Sequence, residues 1–124
     1  MKIVSNNPNG PNSITKTYDL LKWAIPHLKK LPRDQRFLLG DRIEGHLLDI
    51  LELLLSANYS REKLDFLKKA NLKIELLRFL FRLSFDMKYL SKNRYEYASV
   101  HLDEVGKMVG GWIRQQRSKD EEIR

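Results

Sequence analysis

Apolar residues recur at spacings of three and four along almost the whole chain. This spacing is typical of amphipathic α-helices, and no segment alternates with the period of a β-strand. Turn and capping residues divide the pattern into four helices that begin near Ser13, Arg33, Arg61 and Arg94. The sequence therefore predicts an all-α fold, an antiparallel up-down-up-down four-helix bundle. In the first helix, the predicted core stripe is Ile14, Tyr18, Leu21, Ile25 and Leu28.

The chain of 124 residues is long enough for one domain with a single core. We expect residues 1–12, rich in Asn, Pro and Gly, to form a flexible arm, because these residues favour turns. Residues 13–117 should form the bundle domain, and residues 118–124 a polar tail. The expected N-caps of the third and fourth helices are Ser60 and Asn93.

The third predicted helix has two apolar faces. A helix in a monomeric bundle needs only one, and a long exposed stripe of Leu, Phe and Met favours association. We therefore expect a homo-oligomer in which this helix contacts neighbouring subunits. The alternative is a broad bundle core that buries both faces. The expected oligomer interface is Leu72, Leu76, Phe79, Leu83 and Met87.

The chain carries a net charge of +7 and has a pI of about 9.7. Such a surface attracts polyanions, with nucleic acid as the leading candidate, although a generic basic surface is the alternative. In an antiparallel bundle, the first and third loops lie at the same end, so their cations should form one basic rim. The candidate nucleic-acid or partner contacts are Lys29, Lys30, Arg33, Arg36, Lys68, Lys69, Lys73, Arg78, Arg82, Lys88, Arg94 and Arg114.

Arg78 and Arg82 interrupt the most apolar stretch of the chain. On a helical wheel they lie in a seam between the two apolar faces of the third helix, where a long side chain can keep its guanidinium in water. They are candidates for phosphate contact. The alternative is that they form ion pairs with Glu75 and Asp86 on their own helix.

Glycines inside predicted helices need an explanation, because each costs about 1 kcal/mol relative to Ala. Gly40 and Gly45 lie in the second helix, and Gly106 and Gly110 share one stripe of the fourth. Close packing is the simplest interpretation for Gly40 and Gly45, and the close approach of another backbone is the simplest for Gly106 and Gly110.

Residues that would indicate catalysis are sparse. The chain has no cysteine, and its three histidines lie on three different predicted helices without a paired metal-ligand spacing. No glycine-rich phosphate loop or nucleophile elbow occurs. We expect no catalytic residue, no metal and no cofactor. No apolar run reaches the length of a membrane span, so we expect a cytoplasmic protein without a membrane partner.

Three segments form a recognisable set. They are Ile25-Pro26 with Leu31-Pro32-Arg33, Leu77-Arg78-Phe79-x-x-Arg82, and Glu104-Val105-Gly106-Lys107-x-x-Gly110-x-Trp112-Ile113. Together they resemble the accessory variability determinant (Avd) family of diversity-generating retroelements, within a wider four-helix family that includes proteins encoded in rRNA intervening sequences.

The resemblance implies a homopentameric barrel of four-helix bundles with no catalytic activity of its own. It implies binding to the reverse transcriptase of the element and to nucleic acid, template RNA or its cDNA, in support of mutagenic reverse transcription. It also leaves a second possibility open, a structural four-helix oligomer that binds RNA or an acidic protein without a reverse transcriptase.

Overall fold

The structure, a computed structural model, describes residues 8–123 and is helical throughout that range apart from short loops. Helix α1 spans Asn9–Leu28. Helix α2 begins with one turn over Arg33–Gln35, continues as a π-helical segment over Arg36–Gly40, and runs as a regular α-helix over Asp41–Tyr59. Helices α3 and α4 span Leu64–Asp86 and Lys92–Ile123. No strand occurs within residues 8–123, so the predicted all-α class is confirmed.

Contacts between α1 and α4 show how the helices run relative to one another. Gly10 lies against Trp112, Lys16 pairs with Glu104, and Trp23 stacks on Tyr97. Residue numbers rise along α1 as they fall along α4, so the two helices are antiparallel. Each long helix packs on two others, in the cyclic order α1, α2, α3, α4. This arrangement is the predicted four-helix bundle, and the oligomeric ring stays a prediction.

The core of the bundle contains the apolar residues that recur at helical spacing along α2, α3 and α4. Five positions of α4 that repeat at helical spacing are buried, namely Ala98, Leu102, Val105, Val109 and Trp112. On α3, one of the two predicted apolar faces is buried apart from its last residue: Leu67, Ala70, Ile74, Leu77 and Phe81 are buried, and Phe85 is half-buried. The buried Ser84 continues this face. Burial of these side chains supplies most of the hydrophobic stabilisation of the fold.

The predicted stripe of α1 is partly wrong. Tyr18 is about half exposed, whereas Ser13, Thr17 and Ala24 are buried. The two hydroxyls tolerate burial because each donates a hydrogen bond to a backbone carbonyl of its own helix: Ser13 Oγ to Gly10 O at 2.8 Å and Thr17 Oγ1 to Ser13 O at 2.7 Å. A pattern based on apolar residues alone misses a face built from small polar ones.

Both ends of the bundle domain also differ from the prediction. Helix α1 begins at Asn9, so residues 9–12 belong to the bundle, and α4 continues to Ile123 through most of the expected tail. The reason at the first end is packing: a Cβ added to Gly10 would lie 3.3 Å from the ring of Trp112. The remainder of the expected arm, residues 1–7, and the last residue of the tail lie outside the described part of the chain.

The two predicted N-caps are wrong. Helix α3 begins at Leu64, and Ser60 lies at the end of α2, where the Lys63 ammonium donates hydrogen bonds to three carbonyl oxygens of residues 57, 58 and 60. At the start of α4, the hydroxyl of Ser91 accepts a hydrogen bond from the Arg94 N–H at 3.3 Å, and Asn93 already lies inside the helix. A serine two residues earlier therefore takes the capping position.

Candidate nucleic-acid interface

One end of the bundle carries a cluster of cations, because the α1–α2 and α3–α4 loops lie there together. We call this cluster the basic end; its seven members are Lys29, Lys30, Arg33, Arg36, Lys88, Lys92 and Arg94. All are exposed except Arg94, which is half-buried. Lys29 and Arg36 line the same shallow pocket of about 100 Å³. Five nearby carboxylates, Asp34, Asp41, Glu44, Asp86 and Glu96, offset only part of this charge.

Lys88 has an unusual backbone conformation. It follows α3 with a φ of 64°, the only positive φ among the non-glycine residues that the structure describes. When the residue just after a helix is in the left-handed region, it is usually glycine, because a residue with a side chain is strained there. The chain therefore holds a lysine at the basic end in a conformation that glycine would adopt more readily.

Arg78 and Arg82 differ in how far their charges are neutralised. The Arg78 guanidinium pairs with Glu75 and donates from Nε to Asp103 Oδ1 at 3.2 Å. Arg82 is two-thirds exposed, and its Nε lies 3.7 Å from Asp86 Oδ2, beyond hydrogen-bonding distance. Both ion pairs considered from the sequence form, but Asp103 was missed because it lies on another helix. Of the two arginines, Arg82 has the charge that is freer to meet a phosphate.

The remaining candidate cations lie away from the basic end. Lys73 faces α2, with its ammonium 3.1 Å from Asp49 Oδ2, and Lys69 pairs with Asp65 at 3.0 Å. Lys68 is exposed toward the opposite end, where it lines a pocket with residues of the last turns of α4. Arg114 is exposed on the same half of α4. The structure thus separates the candidate residues into distinct regions and does not join them into one patch.

Most of the second apolar face of α3 is exposed. Five of its residues, the expected oligomer interface, are between 39 and 72% exposed: Leu72, Leu76, Phe79, Leu83 and Met87. Leu80, which also belongs to this face, is half-buried, and Leu90 is buried. Leu48 and Leu55 of α2 extend the exposed surface, and Leu72 and Leu76 line a groove of about 320 Å³ between the two helices. The alternative of a broad core that buries both faces is therefore wrong. We call these five residues of α3 the apolar face.

A row of four aromatic rings joins α1 to α4, and it was not predicted from the sequence. His27 stacks on Trp23 with ring centroids 4.4 Å apart, and Trp23 stacks on Tyr97 at 4.5 Å. The ring of His101 lies 4.1 Å from that of Tyr97, at a tilt of 45°. The signal was available, since each helix contributes two rings four residues apart. Beyond His101, Glu104 accepts a hydrogen bond from Lys16 at 2.5 Å, and this bond lowers the pKa of the Glu104 carboxyl. The row packs α1 against α4, and its rings contact one another.

His46 lies on α2 beside Lys73 and Asp49. Its Nδ1 is 3.4 Å from the Lys73 ammonium, which can only donate, so Nδ1 accepts and Nε2 carries the hydrogen. Nε2 is buried without a hydrogen-bond partner. Burial, and next the charge of Lys73, lowers the pKa of His46, so the ring is neutral near pH 7.

Within residues 8–123, no group of three or more His, Asp or Glu side chains is arranged to hold a metal ion. None of the helices described there is both long and apolar enough to cross a membrane.

The fold and the surface define a class: a small all-helical bundle protein with a strongly basic end and an exposed apolar face. A sequence model of the bAvd-like family matches residues 13–116, which is most of the chain, and the chain belongs to this family, that of the accessory variability determinant. No curated protein matches the sequence. Membership supports a role as an accessory protein of a diversity-generating retroelement, in a family of non-catalytic proteins.

Proposed function

We propose that this protein binds nucleic acid, template RNA or its cDNA, together with the reverse transcriptase of a diversity-generating retroelement, and so supports mutagenic reverse transcription. The observation that carries the proposal is the basic end, in a chain of the bAvd-like family. Placement of Lys88 there in a strained conformation supports a role for that charge beyond stability.

Binding through this end is led by contacts between Lys or Arg and phosphates, which position a nucleic acid without reading its sequence. Cations that lack a close carboxylate contribute most, because a paired cation must first give up its partner. By this criterion Arg82 and the exposed members of the basic end contribute more than Arg78, Lys69 or Lys73.

The proposal includes a homopentamer in which the apolar face of α3 contacts the neighbouring subunit. Leu72, at 72% exposed, and Phe79, at 64%, are the side chains that gain most from such burial. A ring would present the basic end five times, and the repetition would raise the avidity for a long polyanion without any new contact.

The first experiment is a fluorescence-polarisation titration with a structured RNA between about 50 and about 300 mM salt. If six or more phosphates are contacted, affinity should fall by roughly 10³-fold between about 50 and 200 mM. A variant with Lys29, Lys30 and Arg33 changed to Ala should lose most of this binding. Its matched control changes three cations of the opposite end, Arg61, Lys68 and Arg114, to Ala. Absence of binding at low salt, or equal loss in both variants, would contradict the proposal.

The second experiment is a pull-down in which the immobilised protein is mixed with the purified reverse transcriptase, with and without the RNA. Retention of the polymerase by the wild-type protein supports the full proposal. Binding of RNA without retention of the polymerase would instead favour the structural oligomer of the rRNA intervening-sequence type.

A further inference from the structure

The π-helical segment at the start of α2 exposes two large apolar side chains. Phe37 is 71% exposed and Leu38 is 63% exposed, although the rest of α2 turns most of its apolar residues inward. Within the described part of the chain, the ring of Phe37 stacks on no other ring. Short π-helical segments are rare and are found frequently at functional sites. An aromatic face is therefore open to solvent at the end of the bundle where the cations gather.

Cations and carboxylates both lie close to Phe37 in the sequence. Arg33 lies four residues before Phe37, a spacing that places two side chains on the same side of a helix. The guanidinium of Arg36 donates a hydrogen bond from Nε to Leu31 O at 3.2 Å, and Arg36 shares its pocket with Lys29. The carboxylates of Asp34, Asp41 and Glu44 lie in the same stretch, and the four cations, which include Lys30, outnumber them by one.

We infer that Phe37 is a stacking platform for an unpaired base of single-stranded nucleic acid, with the adjacent phosphates on Arg33, Arg36 and Lys29. Proteins that bind single strands combine a basic surface with open aromatic faces, since every base has a π-face to stack. The inference rests on the proposed function and adds a preference to it. Bases inside a duplex already stack on their neighbours, so Phe37 gains nothing from a duplex.

Leu38 allows the stacking of a base on Phe37 to be distinguished from the docking of a protein. Both side chains are exposed to a similar extent, so an apolar pocket on a protein partner would use both. A leucine has no π-face, and a stacked base would use Phe37 alone. The excess of cations over carboxylates in this stretch also matches a phosphate backbone.

The test compares a single-stranded RNA with an RNA duplex of the same number of phosphates, at one salt concentration. The proteins are the wild type, Phe37→Leu, Phe37→Trp and Leu38→Ala. Phe37→Leu should weaken single-strand binding about tenfold, the lower part of the range for loss of one stacked base. Duplex binding by Phe37→Leu, and both affinities of Leu38→Ala, should stay at the wild-type values.

Phe37→Trp supplies a direct signal. It should keep the single-strand affinity, and its fluorescence should be quenched by the single strand beyond the quenching seen in the wild type, whose Trp23 and Trp112 are half-buried and buried. Circular dichroism should show an unchanged fold, because the side chain at residue 37 is mostly in solvent.

Several results would overturn the inference. If the wild type binds both RNAs and Phe37→Leu binds the single strand as tightly, the platform is absent while the proposed function stands. Equal loss for single strand and duplex, or equal loss in Leu38→Ala, would assign Phe37 a general positioning or protein-docking role. Absence of binding by the wild type to either RNA would overturn the proposed function and this inference with it.

Discussion

The guanidinium of Arg78 lies against the backbone of Gly106, so that a Cβ added to this glycine would be 2.6 Å from Arg78 Nη2. From that position Arg78, a residue of α3, reaches Asp103 on α4 while it also pairs with Glu75. The glycine is explained by a side chain crossing between helices and not by the close approach of another backbone that the sequence suggested. The close packing predicted at Gly45 is also wrong, since a Cβ there would meet nothing within 4 Å among the described residues.

The two glycines should respond differently to alanine. Gly45→Ala should raise the free energy of unfolding by about 1 kcal/mol, because Ala is the better helix former and the site is open. Gly106→Ala should leave stability nearly unchanged in the wild type, because the new methyl displaces the Arg78 guanidinium from its carboxylates. In an Arg78→Ala background, Gly106→Ala should recover the full gain of about 1 kcal/mol. Urea unfolding measures all three; equal gains from Gly106→Ala in both backgrounds would show that Arg78 moves aside freely.

Substitution of Arg82 should mainly weaken nucleic-acid binding, and substitution of Arg78 should mainly lower stability. Arg82→Ala should reduce the slope of log affinity against log salt for single-stranded RNA by about 0.7, the value for one lost phosphate contact. Arg78→Ala should change this slope less and lower stability more, because its guanidinium serves Glu75 and Asp103. Salt titrations and urea unfolding of both variants provide the check. The opposite ranking in either measurement would reverse the assignment.

Lys88 should show a trade-off between stability and binding. Lys88→Gly should raise the free energy of unfolding by about 1 kcal/mol, since glycine adopts a φ of 64° without strain. The same change removes a charge from the basic end and should weaken RNA binding. Lys88→Ala is the matched control, because it removes the charge and keeps the strain. An unchanged RNA affinity in both variants would show that the lysine has no part in binding.

The four helices and the cores of α2, α3 and α4 were predictable because their buried residues are apolar and repeat at helical spacing. The face of α1 was not, since Ser13 and Thr17 look like surface residues until their hydroxyls are seen to bond to carbonyls of the same helix. The end at Asn9 was hidden for a similar reason: residues that favour turns can also pack where a small side chain fits under Trp112.

The positions of the cations at the candidate site were predictable from the sequence, but the ion pairs that they form were not. Antiparallel order alone places the α1–α2 and α3–α4 loops at the same end of the bundle, and this gives the basic end. Which cations are neutralised depends on contacts between helices, such as Lys73 with Asp49, that no periodicity encodes. The π-helical segment that carries Phe37 and Leu38 was not predictable either, because the apolar periodicity of α2 gives no signal for it.

His46 should make stability depend on pH. Burial, followed by the charges of Lys73 and Arg42, lowers its pKa in the folded protein, and Asp49 opposes them. The unfolded chain, with an ordinary pKa of about 6.5, then binds more protons than the folded one. Stability from this residue is complete above about pH 6.5 and is lost as the pH falls through that value, with a slope below about 1.4 kcal/mol per pH unit. Urea unfolding between about pH 5.5 and 7.5 measures it.

His46→Gln should remove this pH dependence. Lys73→Met should weaken it, since one of the charges that disfavour the protonated ring is gone. A slope that persists unchanged in His46→Gln would assign the effect to other groups.

The apolar face should decide the oligomeric state. Phe79→Glu and Leu83→Glu place a charge in the middle of this face, where both side chains are exposed in the single chain and are expected to be buried between subunits. Burial of an unpaired carboxylate is strongly unfavourable, so each variant should dissociate to the mass of one chain, 14.7 kDa, by light scattering. Val100→Glu is the matched control, because Val100 is 54% exposed on α4, outside the face. Circular dichroism should show that all three variants keep their helices, since each residue contributes little to the core. An unchanged mass for Phe79→Glu and Leu83→Glu, or an equal loss of mass in Val100→Glu, would show that the subunits meet through a different surface.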